Sequence, residues 1–126
     1  MRQTYKLQWA SKDLGHETKV ALGDVTGDGI TNIVAGTSAS HESSSLFVFR
    51  YAKNTYHQLA KKSLGNDDVC VIRAADIDRY GKDEIIIGRR KKITIYKVQG
   101  GDIVKLAEST QVEGEVVSIA VQDIDR

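Results

Sequence analysis

Apolar residues in this chain come in short blocks separated by polar, glycine-bearing turns, and no stretch holds a helical period. Ile33-Val34-Ala35-Gly36, Leu46-Phe47-Val48-Phe49-Arg50-Tyr51, Ile85-Ile86-Ile87-Gly88 and Ile93-Thr94-Ile95-Tyr96-Lys97-Val98 are rich in β-branched and aromatic residues. Blocks of this length and composition read as strands. The turns between them are built from Gly, Asn, Asp and Ser, since the chain has no proline. No long helix is expected between residues 16 and 100.

The blocks recur. Val20-Ala21-Leu22-Gly23-Asp24-Val25-Thr26-Gly27-Asp28-Gly29 returns as Ile72-Arg73-Ala74-Ala75-Asp76-Ile77-Asp78-Arg79-Tyr80-Gly81. It begins a third time as Ile119-Ala120-Val121-Gln122-Asp123-Ile124-Asp125-Arg126. The leading aspartates stand 52 and 47 residues apart. Each of the first two copies is followed by an apolar run ending in glycine, an aromatic or alternating strand, and a more polar strand. The opening residues 5–15 fit that last slot.

Four strands recurring every ~40 to 50 residues is the period of a propeller blade. The chain is therefore read as all-β: a partial β-propeller of about two four-stranded antiparallel blades, at residues 16–65 and 66–114. An outer strand at 1–15 and the inner strand of a further blade at 115–126 flank them. A closed propeller needs at least ~4 blades, and lone blades leave apolar faces and bare strand edges in water. The expectation is further blades in a longer chain, or self-association.

The turn after the first strand carries chemistry. Asp24, Thr26, Asp28 and Asn32 place side-chain oxygens at positions 1, 3, 5 and 9 of a loop with Gly29 at position 6. Alternate residues of a tight turn point inward, and the backbone carbonyl of Ile30 at position 7 can join them. That set suits a hard cation such as Ca2+, which takes six to eight oxygens. An EF-hand would need a glutamate at position 12, where Ala35 and Ile87 stand instead. The second copy keeps carboxylates at positions 1, 3 and 9 (Asp76, Asp78, Glu84), with Lys82 at position 7. Tyr80 at position 5 is a poor ligand, and Arg79 and Lys82 bring positive charge. The second loop is read as a degenerate copy in which internal salt bridges replace the ion.

These residues resemble the FG-GAP repeats of integrin α-subunit propellers and the related VCBS-type repeats, whose loop is close to D-x-D-x-D-G-x-x-D followed by an apolar run. The resemblance implies Asp24, Thr26 and Asp28 as side-chain ligands, Ile30 as a carbonyl ligand and Asn32 as the closing ligand. Thr26 and Asn32 depart from the family pattern and lower the site's charge, so the affinity is expected near ~10⁻⁴ to 10⁻³ M. The resemblance further implies a non-catalytic module that meets a protein or matrix partner, in an extracellular setting. The alternative it carries is a lectin, or the propeller part of a polysaccharide-active enzyme.

Composition narrows the picture only a little. A formal charge of +1 gives no global pull toward nucleic acid or anionic lipid. No apolar run reaches the ~18 residues of a membrane helix. Cys70, the only cysteine, excludes an intrachain disulfide and reads as a small buried hydrophobe. Arg89-Arg90-Lys91-Lys92 reads as a solvated hairpin tip, and the Ser-rich segment holding His41 and Glu42 as a mobile loop. His16 and His57 read as surface residues, and Trp9 as packing between blades. No nucleophile, base and oxyanion site assemble, so an enzyme is not expected.

Overall fold

The computed structural model describes residues 18–37, 44–65, 69, 71–89 and 92–109. Eight strands follow in order: β1 (Thr18–Gly23), β2 (Asn32–Thr37), β3 (Ser44–Ala52), β4 (Thr55–Gly65), β5 (Val71–Ala75), β6 (Glu84–Gly88), β7 (Ile93–Gln99) and β8 (Asp102–Glu108). They form two four-stranded antiparallel sheets, β1-β2-β3-β4 and β5-β6-β7-β8, and neither sheet closes on itself. No helix occurs among the described residues. The strand expected at 1–15, with Trp9, lies outside the described residues. So do the strand expected at 115–126, Cys70, His16, and the His41 and Glu42 segment.

The sequence repeat is a repeat of backbone register. Ala21 pairs with Val34 in the first sheet, and 52 residues later Arg73 pairs with Ile86 in the second. A register break falls between Val48 and Phe49 in β3, and the equivalent break falls between Ile95 and Tyr96 in β7. Both outer hairpins are two-residue turns with left-handed backbone throughout, Lys53-Asn54 (φ 53° and 66°) and Gly100-Gly101 (φ 61° and 86°). That geometry matches the right-handed twist of the flanking strands.

The sheets stack face to face. Val34, Leu46, Val48 and Ala60 of the first sheet pack with Ile72, Ile85, Ile87, Tyr96, Val98 and Ile103 of the second into one core, joined by Val25 and Val69. On the opposite face of the first sheet, Ala35, Phe47 and Phe49 of β2 and β3 are buried beside Ile33 and Tyr56, while the β1 part of that face is exposed. This is why β3 is apolar at every position from Leu46 to Phe49: alternate side chains serve opposite faces, and both faces are dry. First strand lies beside first strand, β1 against β5, and last beside last, β4 against β8. The faces in contact are not equivalent ones. Ile72 and Ala74 of β5 face the first sheet, whereas their counterparts Val20 and Leu22 point away from the second and are 56% and 64% exposed. The stacking is head to tail.

The basic turn departs from its reading as a solvated tip. Arg89 is only 7% exposed, and its Nη2 donates to the Tyr96 hydroxyl at 2.9 Å. Lys92 pairs with Glu108 at 3.2 Å. The strand pairing of β6 with β7 draws Arg89 back onto the sheet, where the tyrosine hydroxyl offers a partner. Arg90 and Lys91 lie outside the described residues.

At Gly23 the two sheets leave no room for a side chain. A Cβ there would lie 2.6 Å from the Ala74 Cβ and 2.6 Å from Asp83 Oδ2. Gly23→Ala is expected to cost roughly 1–3 kcal/mol through overpacking, read as a lower urea midpoint. Adding Ala74→Gly should recover part of the loss but not all, because the Asp83 carboxylate still clashes. Additive losses in the double variant would contradict this contact.

Candidate metal centre

The loops between β1 and β2 and between β5 and β6 share a hydrogen-bond scheme. Position 1 holds position 6: Asp24 Oδ2 accepts from the Gly29 N–H at 2.7 Å, and Asp76 Oδ2 from the Gly81 N–H at 2.8 Å. Position 9 holds position 2: the Val25 N–H donates to Asn32 Oδ1 at 2.9 Å, and the Ile77 N–H to Glu84 Oε1 at 2.7 Å. The chain reverses within these few residues because position 6 takes a left-handed backbone, φ 84° at Gly29 and 90° at Gly81, which glycine adopts at no steric cost. Position 9 is the first residue of β2 or β6, so the strand itself fixes the closing side chain.

Beyond that scheme the loops diverge. In the first, the polar side chains are turned onto the protein's own donors. Asp24 Oδ1 accepts from the Gly27 N–H at 2.8 Å, and Asp28 Oδ1 from the Ile30 N–H at 3.0 Å. The Thr26 hydroxyl lies 3.5 Å from both Asp24 and Asn32. The buried Asn32 amide donates to the Phe49 carbonyl at 3.1 Å, tying the loop to β3. Asp28 Oδ2 faces Arg50 Nε at 3.8 Å. The Ile30 N–H, with help from Thr26 and Arg50, holds the Asp28 carboxyl below its ordinary range.

In the second loop three carboxylates converge. Asp76, Asp78 and Glu84 each offer an oxygen within 4.8 Å of the others, the one such acidic group among the described residues. Two oxygens bound to one calcium ion, each at 2.3–2.6 Å, lie at most about 5 Å apart, so the spacing fits. Asp76 Oδ1 is shielded from solvent and has no hydrogen-bond partner, unlike its counterpart on Asp24. Position 4 is Arg79 in place of Gly27, held at φ 65°, a left-handed conformation that costs a non-glycine residue roughly 1–2 kcal/mol. Asp78 Oδ1 accepts from the Tyr80 N–H at 3.2 Å, and Tyr80 itself points into solvent. The ammonium of Lys82, expected among the salt bridges replacing the ion, instead donates to the Val98 carbonyl of β7 at 2.7 Å.

Glu84 is 1% exposed. Burial pushes its carboxyl above the ordinary glutamate value, and the charges of Asp78 and Asp76 add to the rise. The Ile77 and Asp78 N–H groups oppose it.

Reading the sequence did not single out Asp83. Its N–H donates to the Asp24 carbonyl at 2.8 Å, and its Oδ2 accepts from the Asp24 N–H at 2.9 Å. The two loops are thereby clasped across the sheet interface. An acid at position 8, where the first loop has Thr31, was the only signal, and nothing local says that its partner lies 59 residues away. Neither protein-family models nor curated proteins give a match to the chain.

The Glu84 environment fixes a sign. With the folded pKa above the unfolded one, the folded state binds more protons between the two values, so stability falls as pH rises through that window. Above it the ionised Glu84 carries its full penalty in chelator. Glu84→Gln keeps the acceptor for Ile77 and removes the buried charge. In chelator at neutral pH this variant is expected to melt a few degrees above the parent and to lose that slope. A lower melting point for Glu84→Gln would show that ionised Glu84 is already compensated by the protein.

Proposed function

We propose that the chain is a calcium-stabilised segment of a β-propeller of FG-GAP type, acting as a non-catalytic binding module for a protein or matrix partner. The observation that carries the calcium reading is the shielded Asp76 Oδ1, unpartnered beside the buried Glu84 carboxylate. A buried carboxylate with two more carboxylates within 4.8 Å of it is costly without a compensating charge. Asp76, Asp78 and Glu84 would supply the carboxylate oxygens, with the backbone carbonyl of Lys82 at position 7. The first loop, Asp24, Thr26, Asp28, Ile30 and Asn32, is the lesser site in this reading, because it holds two carboxylates against three and both oxygens of its Asp24 already accept N–H groups. A bound cation would supply charge compensation and tie the start of β6 to the end of β5.

Head-to-tail stacking supports the propeller. In the second sheet, Ile72 and Ala74 are covered by the sheet before it. Val20 and Leu22 of the first sheet stand ready for the same treatment by a preceding blade, and a heterologous contact of this kind either continues or closes into a ring. Further blades of a longer chain, or other copies of this one, would provide it.

Calcium is expected to raise the melting temperature at millimolar concentration. Asp76→Asn should abolish most of that rise, and Asp28→Ala should leave most of it in place. Asp28→Ala alone abolishing the response would move the site to the first loop, and calorimetry without any calcium heat at millimolar concentration would end the metal reading. In light scattering, the 126-residue chain is expected to associate with rising concentration, and Leu22→Lys to reduce that association. A monomer at every concentration would show that the exposed face has no partner among copies of itself.

A further inference from the structure

Between the two sheets, at the end where the loops lie, a cleft of about 300 Å³ is lined by Thr26, Asp28, Arg50 and Leu59 on one side. Lys82, Val98, Gly100 and Gly101 line the other. We infer that this cleft is the docking site for an acidic side chain of a partner polypeptide, with Arg50 and Lys82 receiving the carboxylate. The inference names the partner chemistry for the binding module proposed above; it shares with that reading the rim formed by Thr26 and Asp28, and Lys82, whose ammonium it uses rather than the backbone carbonyl.

Among the described residues Lys82 makes one hydrogen bond, to the Val98 carbonyl, and pairs with no carboxylate. An ammonium has three donors, so two remain. Arg50 meets Asp28 only through Nε at 3.8 Å, which leaves both terminal nitrogens of the guanidinium unengaged. Those nitrogens are the pair that grips a carboxylate in a forked arrangement. Two cations and one carboxylate give the lining a net charge of +1, which matches a monoanion better than a phosphate dianion.

Shape points the same way. Leu59 and Val98 give an apolar wall suited to a methylene stem. Gly100 and Gly101 bring no side chains to the rim, and as the central residues of a two-residue hairpin their N–H groups lie outside the cross-strand pairing of Gln99 with Asp102. The volume suits a single residue. No aromatic side chain lines the cleft, so a sugar ring would lack the stacking surface that ring recognition favours.

The test is a nitrogen-15 correlation spectrum of the full chain titrated with acetyl-Gly-Glu-Gly-amide and, separately, with its Gln counterpart. Both titrations are run in calcium and in chelator. The Glu peptide is expected to shift the amides of Thr26, Arg50, Gly100 and Gly101 together, and the Gln peptide to leave them in place. Arg50→Gln and Lys82→Met should each weaken binding roughly three- to tenfold, and Arg50→Gln, which lies outside the Asp76–Glu84 loop, should do so while keeping the parent melting temperature and calcium response. Shifts that persist in chelator support the cleft whatever becomes of the calcium reading. Equal shifts with the Gln peptide, binding unchanged in both variants, or a response to sodium glucuronate or inorganic phosphate but not to the Glu peptide, would each overturn the inference.

Discussion

Two reciprocal hydrogen bonds between Asp24 and Asp83 hold this structure's organisation in place. One runs from each backbone N–H, the first to a carboxylate and the second to a carbonyl. Each contributes on the order of 1 kcal/mol net, but together they fix the separation of β1 from β5 at the point where Gly23 has no room for a side chain. The core between the sheets is apolar and so not directional. Burial of Val34, Val48, Ile85 and Ile87 would tolerate a sliding of one sheet over the other. The Asp24–Asp83 pair is directional, and it selects the one offset in which loop meets loop.

The clasp also makes neighbours of the two oxygen-rich loops. They share a backbone path and two hydrogen bonds each, yet one spends its oxygens inward and the other keeps them grouped. The difference shows at position 4. In the first loop the Gly27 N–H reaches Asp24 Oδ1, whereas in the second Arg79 stands at that position and Asp76 Oδ1 goes without. Replacing Asn32 by a glutamate at position 9 then adds a buried charge beside two others. One backbone thus supports a self-satisfied turn or a charged cluster, according to three side chains.

The eight strands were legible because each is a block of β-branched and aromatic residues ended by turn formers. Repetition multiplied the signal: a lone Ile93–Val98 pattern is ambiguous, but the same pattern 47 residues after Leu46–Tyr51 is not. The position-1 and position-9 residues of both loops were legible for the same reason. That the second loop keeps carboxylates at positions 1, 3 and 9 was legible too; that Asp76 Oδ1 stays without a hydrogen-bond partner there was not. Counting favourable ligands favoured the first loop, and the charges of Arg79 and Lys82 argued against the second. The Lys82 side chain crosses to a carbonyl of β7, a strand that starts eleven residues later in sequence. Arg89 misled in the same way, since four basic residues in a row read as a wet turn until strand pairing brings Tyr96 beside the first of them.

By itself, then, the sequence determined local matters: strand or turn, the repeat, the tight reversal at Gly29 and Gly81, and the oxygen-rich loop spacing. These depend on residues within one turn or one strand of each other, where backbone sterics and hydrophobic alternation act alone. Tertiary structure decided which face of each sheet meets the other. It also decided that Asp83 belongs to Asp24, that Lys82 and Arg50 share a cleft, and that Asp76 keeps a shielded oxygen beside Glu84. Each of these joins groups from separate strands or sheets, and the energy of a hydrogen bond or a buried charge is set by the partner that packing delivers, which no single stretch of chain encodes.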